Sequence, residues 1–170
     1  MTFPAGLLSP PLDAVERMLA ACASFRNRIA SGASVATARQ HIHWHLDFDD
    51  GNVNWRCPMA VLWMGEFSQQ RTGQGASNTM TSGGGVVLVL VDNARQNGHT
   101  PEAEKQSAQD FCDWAGTVLE ELAAINGSGD YLHYDLEMLH PPQRTARPQR
   151  LAEQNDYWET AFQLSFGHEE

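Results

Sequence analysis

Val86-Val87-Leu88-Val89-Leu90-Val91 is a run of six branched aliphatic residues directly after Gly83-Gly84-Gly85. A run of this length bounded by turn residues reads as a strand covered on both faces. As a helix it is far too short to cross a bilayer. Upstream, Met59-Ala60-Val61-Leu62-Trp63-Met64 is almost as apolar and reads as a second buried strand. The two suit a hairpin whose connection is residues 65–85. That connection is rich in Gly, Ser, Thr and Gln and holds little that could pack. Connections of this length and composition are functional or flexible, so it is expected to be a docking loop.

Helical periodicity flanks this pair. Val15, Met18, Leu19, Cys22, Phe25 and Ile29 recur at three- and four-residue spacing after Pro10, Pro11 and Asp13, which predicts one amphipathic helix closed near Gly32. Residues 34–40 suit a short helical turn, and 41–46 a short strand. Thr100 and Pro101 open a second long helix with Glu102 and Glu104 in its first turn, where the helix dipole favours acids. Its buried stripe is Phe111, Trp114, Ala115, Val118, Leu119, Leu122 and Ile125, and Gly127 and Gly129 close it.

Two alternating segments follow. In the first, Leu132, Tyr134, Leu136 and Met138 share a face, and Pro141-Pro142 stops the strand. In the second, Trp158, Thr160, Phe162, Leu164 and Phe166 share a face, with Tyr157, Glu159, Ala161, Gln163 and Ser165 on a wetter one. Residues 143–155, between them, are polar and contain Pro148, which predicts a second loop. The sum is a single α+β domain over residues 1–170. It has a mainly antiparallel sheet of four to five strands and two main helices on one face.

Composition narrows the function. The chain has 170 residues, 42% of them hydrophobic, enough for one sizeable core. Its net charge of -10 argues against a broad nucleic-acid surface, since phosphate binding needs clustered cations. The densest basic run is Arg144, Arg147 and Arg150. Three cysteines at long spacings, Cys22, Cys57 and Cys112, fit neither a disulfide framework nor a cysteine zinc site. Cys22 and Cys112 fall in helical apolar patterns, as small hydrophobes do. The first eleven residues lack the basic and apolar regions of a signal peptide, so a cytoplasmic site of synthesis is expected.

The one arrangement that suggests chemistry is His41-Ile42-His43-Trp44-His45. On a strand His41, His43 and His45 point to one face, and three imidazoles can hold zinc with an open fourth position. The plainer alternative is a polar row on an edge strand. The glycines at 83–85 precede a strand and have no Lys among them, which is the wrong context for a phosphate loop. No GxSxG elbow is present. The acidic pair Glu120-Glu121 is expected on the solvated side of its helix.

Read in order, several phrases resemble the tail terminator, or tail completion, proteins of long-tailed bacteriophages and prophages. Leu12-Asp13-Ala14-Val15-Glu16-Arg17-Met18-Leu19-Ala20-Ala21-Cys22 with Phe25 is similar to their opening helix, and His41-Ile42-His43-Trp44 to the short motif after it. Arg56-Cys57-Pro58-Met59-Ala60-Val61-Leu62 is similar to the first buried strand. Phe111-Cys112-Asp113-Trp114-Ala115-Gly116-Thr117-Val118-Leu119-Glu120-Glu121-Leu122 is similar to the long helix. Asp156-Tyr157-Trp158-Glu159-Thr160-Ala161-Phe162-Gln163-Leu164-Ser165-Phe166-Gly167 is similar to the closing strand.

The resemblance implies a structural subunit, not an enzyme and without a cofactor. Such subunits form a homo-oligomeric ring, typically a hexamer, in the virion neck. The ring would cap the tail tube and meet the head-tail connector protein, after assembly in the bacterial cytoplasm. The two polar loops then supply the interaction residues: Arg71, Thr72, Gln74 and Asn78 in the first, Arg144 and Arg147 in the second. A head-tail joining (neck) protein is the alternative within the same virion. A metal-dependent enzyme on His41, His43 and His45 is the alternative of another class.

Overall fold

A computed structural model describes residues 9–44, 57–72, 79–93, 100–125, 134–145 and 157–169. In chain order the elements are α1 (Ser9–Ala21), α2 (Ala23–Ile29), α3 (Val35–Arg39), β1 (Ile42–Trp44), β2 (Met59–Thr72), β3 (Thr79–Asn93), α4 (Pro101–Ile125), β4 (Asp135–Thr145) and β5 (Tyr157–Glu169). The five strands form one sheet in the order β1-β2-β3-β5-β4. Only the β1–β2 pairing is parallel; the other three are antiparallel. The α+β class and the mainly antiparallel sheet are as expected.

The aliphatic run at 86–91 sits in the middle strand and is buried on both sides. Val86, Leu88 and Leu90 join Ala60 and Leu62 of β2, with Trp158, Phe162, Leu164 and Phe166 of β5, under the helices. Val87, Val89 and Val91 join Met59, Val61, Tyr157 and Ala161 in a second cluster on the opposite face. The face of β5 expected to be wetter is therefore buried at Tyr157, Glu159 and Ala161, because β3 carries aliphatic side chains to both sides of the sheet.

The expected loop at 65–85 is largely strand. β2 runs to Thr72 and β3 starts at Thr79, in register from Phe67↔Gly84 to Thr72↔Thr79. Polarity misleads here because backbone pairing, not apolar burial, carries the strands outward. The register slips between Met64 and Phe67, at Gly65. Gly85 reflects close packing: a Cβ there would lie 2.8 Å from Gln163 Nε2, so a side chain at this position would need Gln163 to move.

The first predicted helix is two. Cys22 adopts an extended conformation (φ -62°, ψ 120°) between α1 and α2, while its thiol donates to the Met18 carbonyl at 3.3 Å. The break exposes unpaired amides at the start of α2. Ser24 N–H donates to both carboxylate oxygens of Glu121, at 3.1 and 3.2 Å. Glu121 is thus a helix cap supplied by α4 and not part of a solvated pair. Asp13, expected as a cap, lies inside α1 and pairs with Arg17 at 3.0 Å. Gly32 takes the positive φ (72°) that ends the helical segment. Ser34 caps α3 by accepting from Thr37 N–H at 3.1 Å. Thr100 caps α4 in the same way, from Ala103 N–H at 3.2 Å.

Between the helix layer and the end of β3 lies an ion cluster. Arg28 donates through Nε to Asp92 Oδ2 at 2.7 Å, and through its two terminal nitrogens to Asp110 at 3.1 and 2.6 Å. It also stacks over Trp114, 5.5 Å from the ring centroid. Burial works against its charge, but the hydrogen bond of Asp110 and the charge of Asp92 outweigh it and raise its pKa. Of the cysteines, Cys22 is buried and Cys57 half-buried; Cys112 is exposed, against expectation, because the stripe of α4 rotates past it. Among the described residues no helix is long and apolar enough to cross a membrane.

Candidate assembly surfaces

The two ends of the sheet differ from its interior. β4 is the outer strand next to β5. Its alternation predicts a buried face, yet Leu136 is 38% exposed, Met138 53% and Leu139 46%. The cause is position: among the described residues β4 has a strand on one side only, and α4 reaches it near its ends. Nor does Pro141-Pro142 stop the strand, which continues to Thr145. Proline lacks an N–H to donate, and an outermost strand can place that gap outward. Register slips on either side of His140 accommodate the pair.

β4 is held at both ends. Tyr134 donates its hydroxyl to the Leu122 carbonyl at 2.8 Å, and burial, helped by Cys22, pushes its pKa up to about 12. Arg144 reaches Glu104 at 2.8 Å, which ties the other end to the first turn of α4. Between them Thr160 donates to the His140 carbonyl at 2.9 Å. Gln143 Nε2 donates to the largely buried Glu159 carboxylate at 3.4 Å. The apolar trio is thus presented on an anchored strand.

The opposite end is built from β1, α3 and the outer side of α1. Trp44 donates its indole N–H to Glu16 Oε2 at 2.6 Å, and Arg39 Nε donates to Glu16 Oε1 at 2.6 Å. Asp13 lies between Arg17, at 3.0 Å, and Arg39, at 3.6 Å. Glu16 is mostly covered, whereas the side chains of Arg17 and Arg39 are about half exposed. Trp44 (39%) and Val35 (45%) complete this end.

Two of the three histidines of the row lie in the described residues. His41 lies in the turn before β1, with Nδ1 2.7 Å from the Pro58 carbonyl. His43 is half-buried, and burial, together with His41, lowers its pKa. His45 lies outside the described residues. Among the described residues no group of three or more His, Cys, Asp or Glu is placed to hold a metal ion.

Of the six expected interaction residues, three lie in the described residues. Arg71 and Thr72 are not in a loop but at the end of β2, opposite Met80 and Thr79. Arg144 is likewise in a strand, opposite Trp158. Gln74, Asn78 and Arg147 lie outside the described residues. Trp44, Leu136, Met138 and Leu139 are not polar loop residues, and polarity does not mark them. One signal for them was present: consecutive prolines inside an alternating segment mark an outer strand.

No known family model matches the chain, and no characterised protein matches its sequence.

Proposed function

We propose that the chain is a structural subunit that assembles head to tail with copies of itself, as a tail terminator ring does. The observation that carries this reading is the placement of the exposed apolar side chains. Among the described residues the exposed large hydrophobics are Val35, Trp44, Leu136, Met138 and Leu139. Four of the five lie on the two outer strands of one sheet, Trp44 on β1 and Leu136, Met138 and Leu139 on β4, while Val35 opens α3. Two unlike surfaces on one subunit favour a heterologous contact, which closes into a ring or continues as a filament. The resemblance of the sequence to phage tail terminator proteins favours the ring, with the tail tube and the head connector as its axial partners.

Mass photometry across concentration, followed by electron microscopy, tests the reading. Closed rings of one size are expected, and added rings should halt the elongation of tail tube subunits. A chain that stays monomeric at high concentration and does not join tube ends would overturn it.

A further inference from the structure

The pairing registers place Trp44, Leu62, Leu88, Phe162 and Met138 in one row across all five strands. The three inner members are buried: Leu62 and Leu88 at 0% exposure and Phe162 at 2%. The two outer members are exposed, Trp44 at 39% and Met138 at 53%. One hydrophobic row therefore ends in open apolar side chains at both edges of the sheet.

We propose that the sheet continues between copies, with β4 of one copy against β1 of the next, Met138 and Leu136 covering Trp44. This rests on the assembly reading and names its joint. Strand direction suits it. β1 runs parallel to β2, and three antiparallel steps lead from β2 to β4, so β4 would meet the next β1 antiparallel. Such a step keeps Met138 level with Trp44, and a thioether against an indole is a favourable contact.

Charge suits it as well. Each copy carries a net -10, so copies repel unless opposite charges meet locally. The open half of β4 carries Asp135 and Glu137, both exposed. The rim around Trp44 presents the half-exposed Arg17 and Arg39 with the somewhat less exposed Asp13 between them, while Glu16, the acid next to Trp44, is mostly covered. An acidic edge thus faces a mixed rim in which the two arginines are more exposed than the acids they pair with. The same pattern disfavours β4 on a second β4, which would bring acid to acid. Pro141-Pro142 limits backbone addition along the other half of β4, so side chains around 135–139 carry the contact.

Disulfide trapping tests the joint directly. Trp44→Cys and Met138→Cys are made separately in a Cys112→Ser background, which removes the exposed thiol. Cys22 and Cys57 can stay, since burial pushes both thiols up to about 12. Under mild oxidation the mixture of the two variants should give a cross-linked pair, while neither alone does. Cross-linking of Met138→Cys with itself overturns the proposal in favour of a two-fold contact. Absence of a cross-link where the parent chain forms oligomers overturns the joint and leaves the assembly reading standing. Absence of both cross-link and oligomer overturns the two together.

Met138→Asp provides a second measure that does not disturb Trp44. Being exposed, it should leave the fold intact while weakening assembly on the order of tenfold or more. Unchanged assembly in that variant also rejects the joint.

Discussion

β4 and β5 are neighbours with similar sequence patterns and opposite fates. Each alternates apolar and polar residues, and Met138 and Phe162 are direct partners in the ladder. Phe162 is 2% exposed and Met138 is 53%. The difference arises outside either strand. β5 lies between β3 and β4 beneath the helices, while among the described residues β4 has no strand beyond it. Alternation specifies which side chains share a face; strand order decides whether that face is covered. An apolar pattern on an outer strand can therefore mean an interface as readily as a core.

The sharpest way to break this comparison is to truncate the inner partner. Phe162→Ala should destabilise the domain by about 3–5 kcal/mol, because the buried ring leaves a cavity that its neighbours fill only in part. Urea unfolding checks it. A loss below about 1 kcal/mol would mean that β5 is no better packed than β4.

Arg28→Ala probes the end of the inner strand β3, where Asp92 is fully buried. Removing its ion-pair partner leaves the buried carboxylate without the guanidinium counter-charge, though Asn93 N–H still donates to Oδ1, and should cost about 3–5 kcal/mol. Arg28→Ala with Asp92→Asn should recover part of that loss, by the same unfolding measurement. No recovery would show that Arg28 acts through its stacking on Trp114 instead.

Trp158→Phe is milder. It keeps most of the ring contact with Phe111 but removes the indole N–H that donates to Ser107 Oγ at 3.0 Å. The Ser107 hydroxyl is left buried, so about 1–2 kcal/mol should be lost. Trp158→Phe with Ser107→Ala should lose less than the single change.

The fold was legible wherever a local pattern and its burial coincide. The run at 86–91, the stripe from Phe111 to Leu122 and the Thr100-Pro101 helix start each report on their own surroundings. Three features did not yield to local reading. The outer parts of β2 and β3 are polar, so nothing in their side chains announces pairing. Cys22 looks like a helix-stripe residue, and only Glu121, far along the chain, reveals a second helix start there. Leu136 and Met138 look like core because burial depends on strand order. Of the histidine row, the described part of β1, Ile42–Trp44, carries only His43; His41 lies in the turn before it, next to the Pro58 carbonyl, and His45 is outside the described residues.

His43 extends the comparison to the other outer strand. Burial, then His41, holds its pKa below the ordinary 6.5. The unfolded chain therefore takes up a proton before the folded one does. Above about pH 6.5 both states are neutral and the stability is whole. As pH falls from there through the folded pKa, stability declines, and below that value the slope from this group ends. His43→Gln should flatten this part of the decline, seen as a smaller difference in urea midpoint between pH 7.5 and 5.5. An unchanged difference would mean that other groups set the slope.

The smallest effect should come from the outer partner of the row. Met138→Ala removes a side chain that lies mostly in solvent and fills no cavity, so the isolated subunit should change by less than about 0.5 kcal/mol. Measured beside Phe162→Ala at low concentration, it would set two residues that touch across one ladder nearly an order of magnitude apart. If Met138→Ala instead costs more than 1 kcal/mol in a monomer, β4 contributes to the core and cannot be a free edge. If the cost is negligible in the monomer but appears at concentrations where copies associate, the same residue is buried between subunits. In that case the row from Trp44 to Met138 is completed by a second chain.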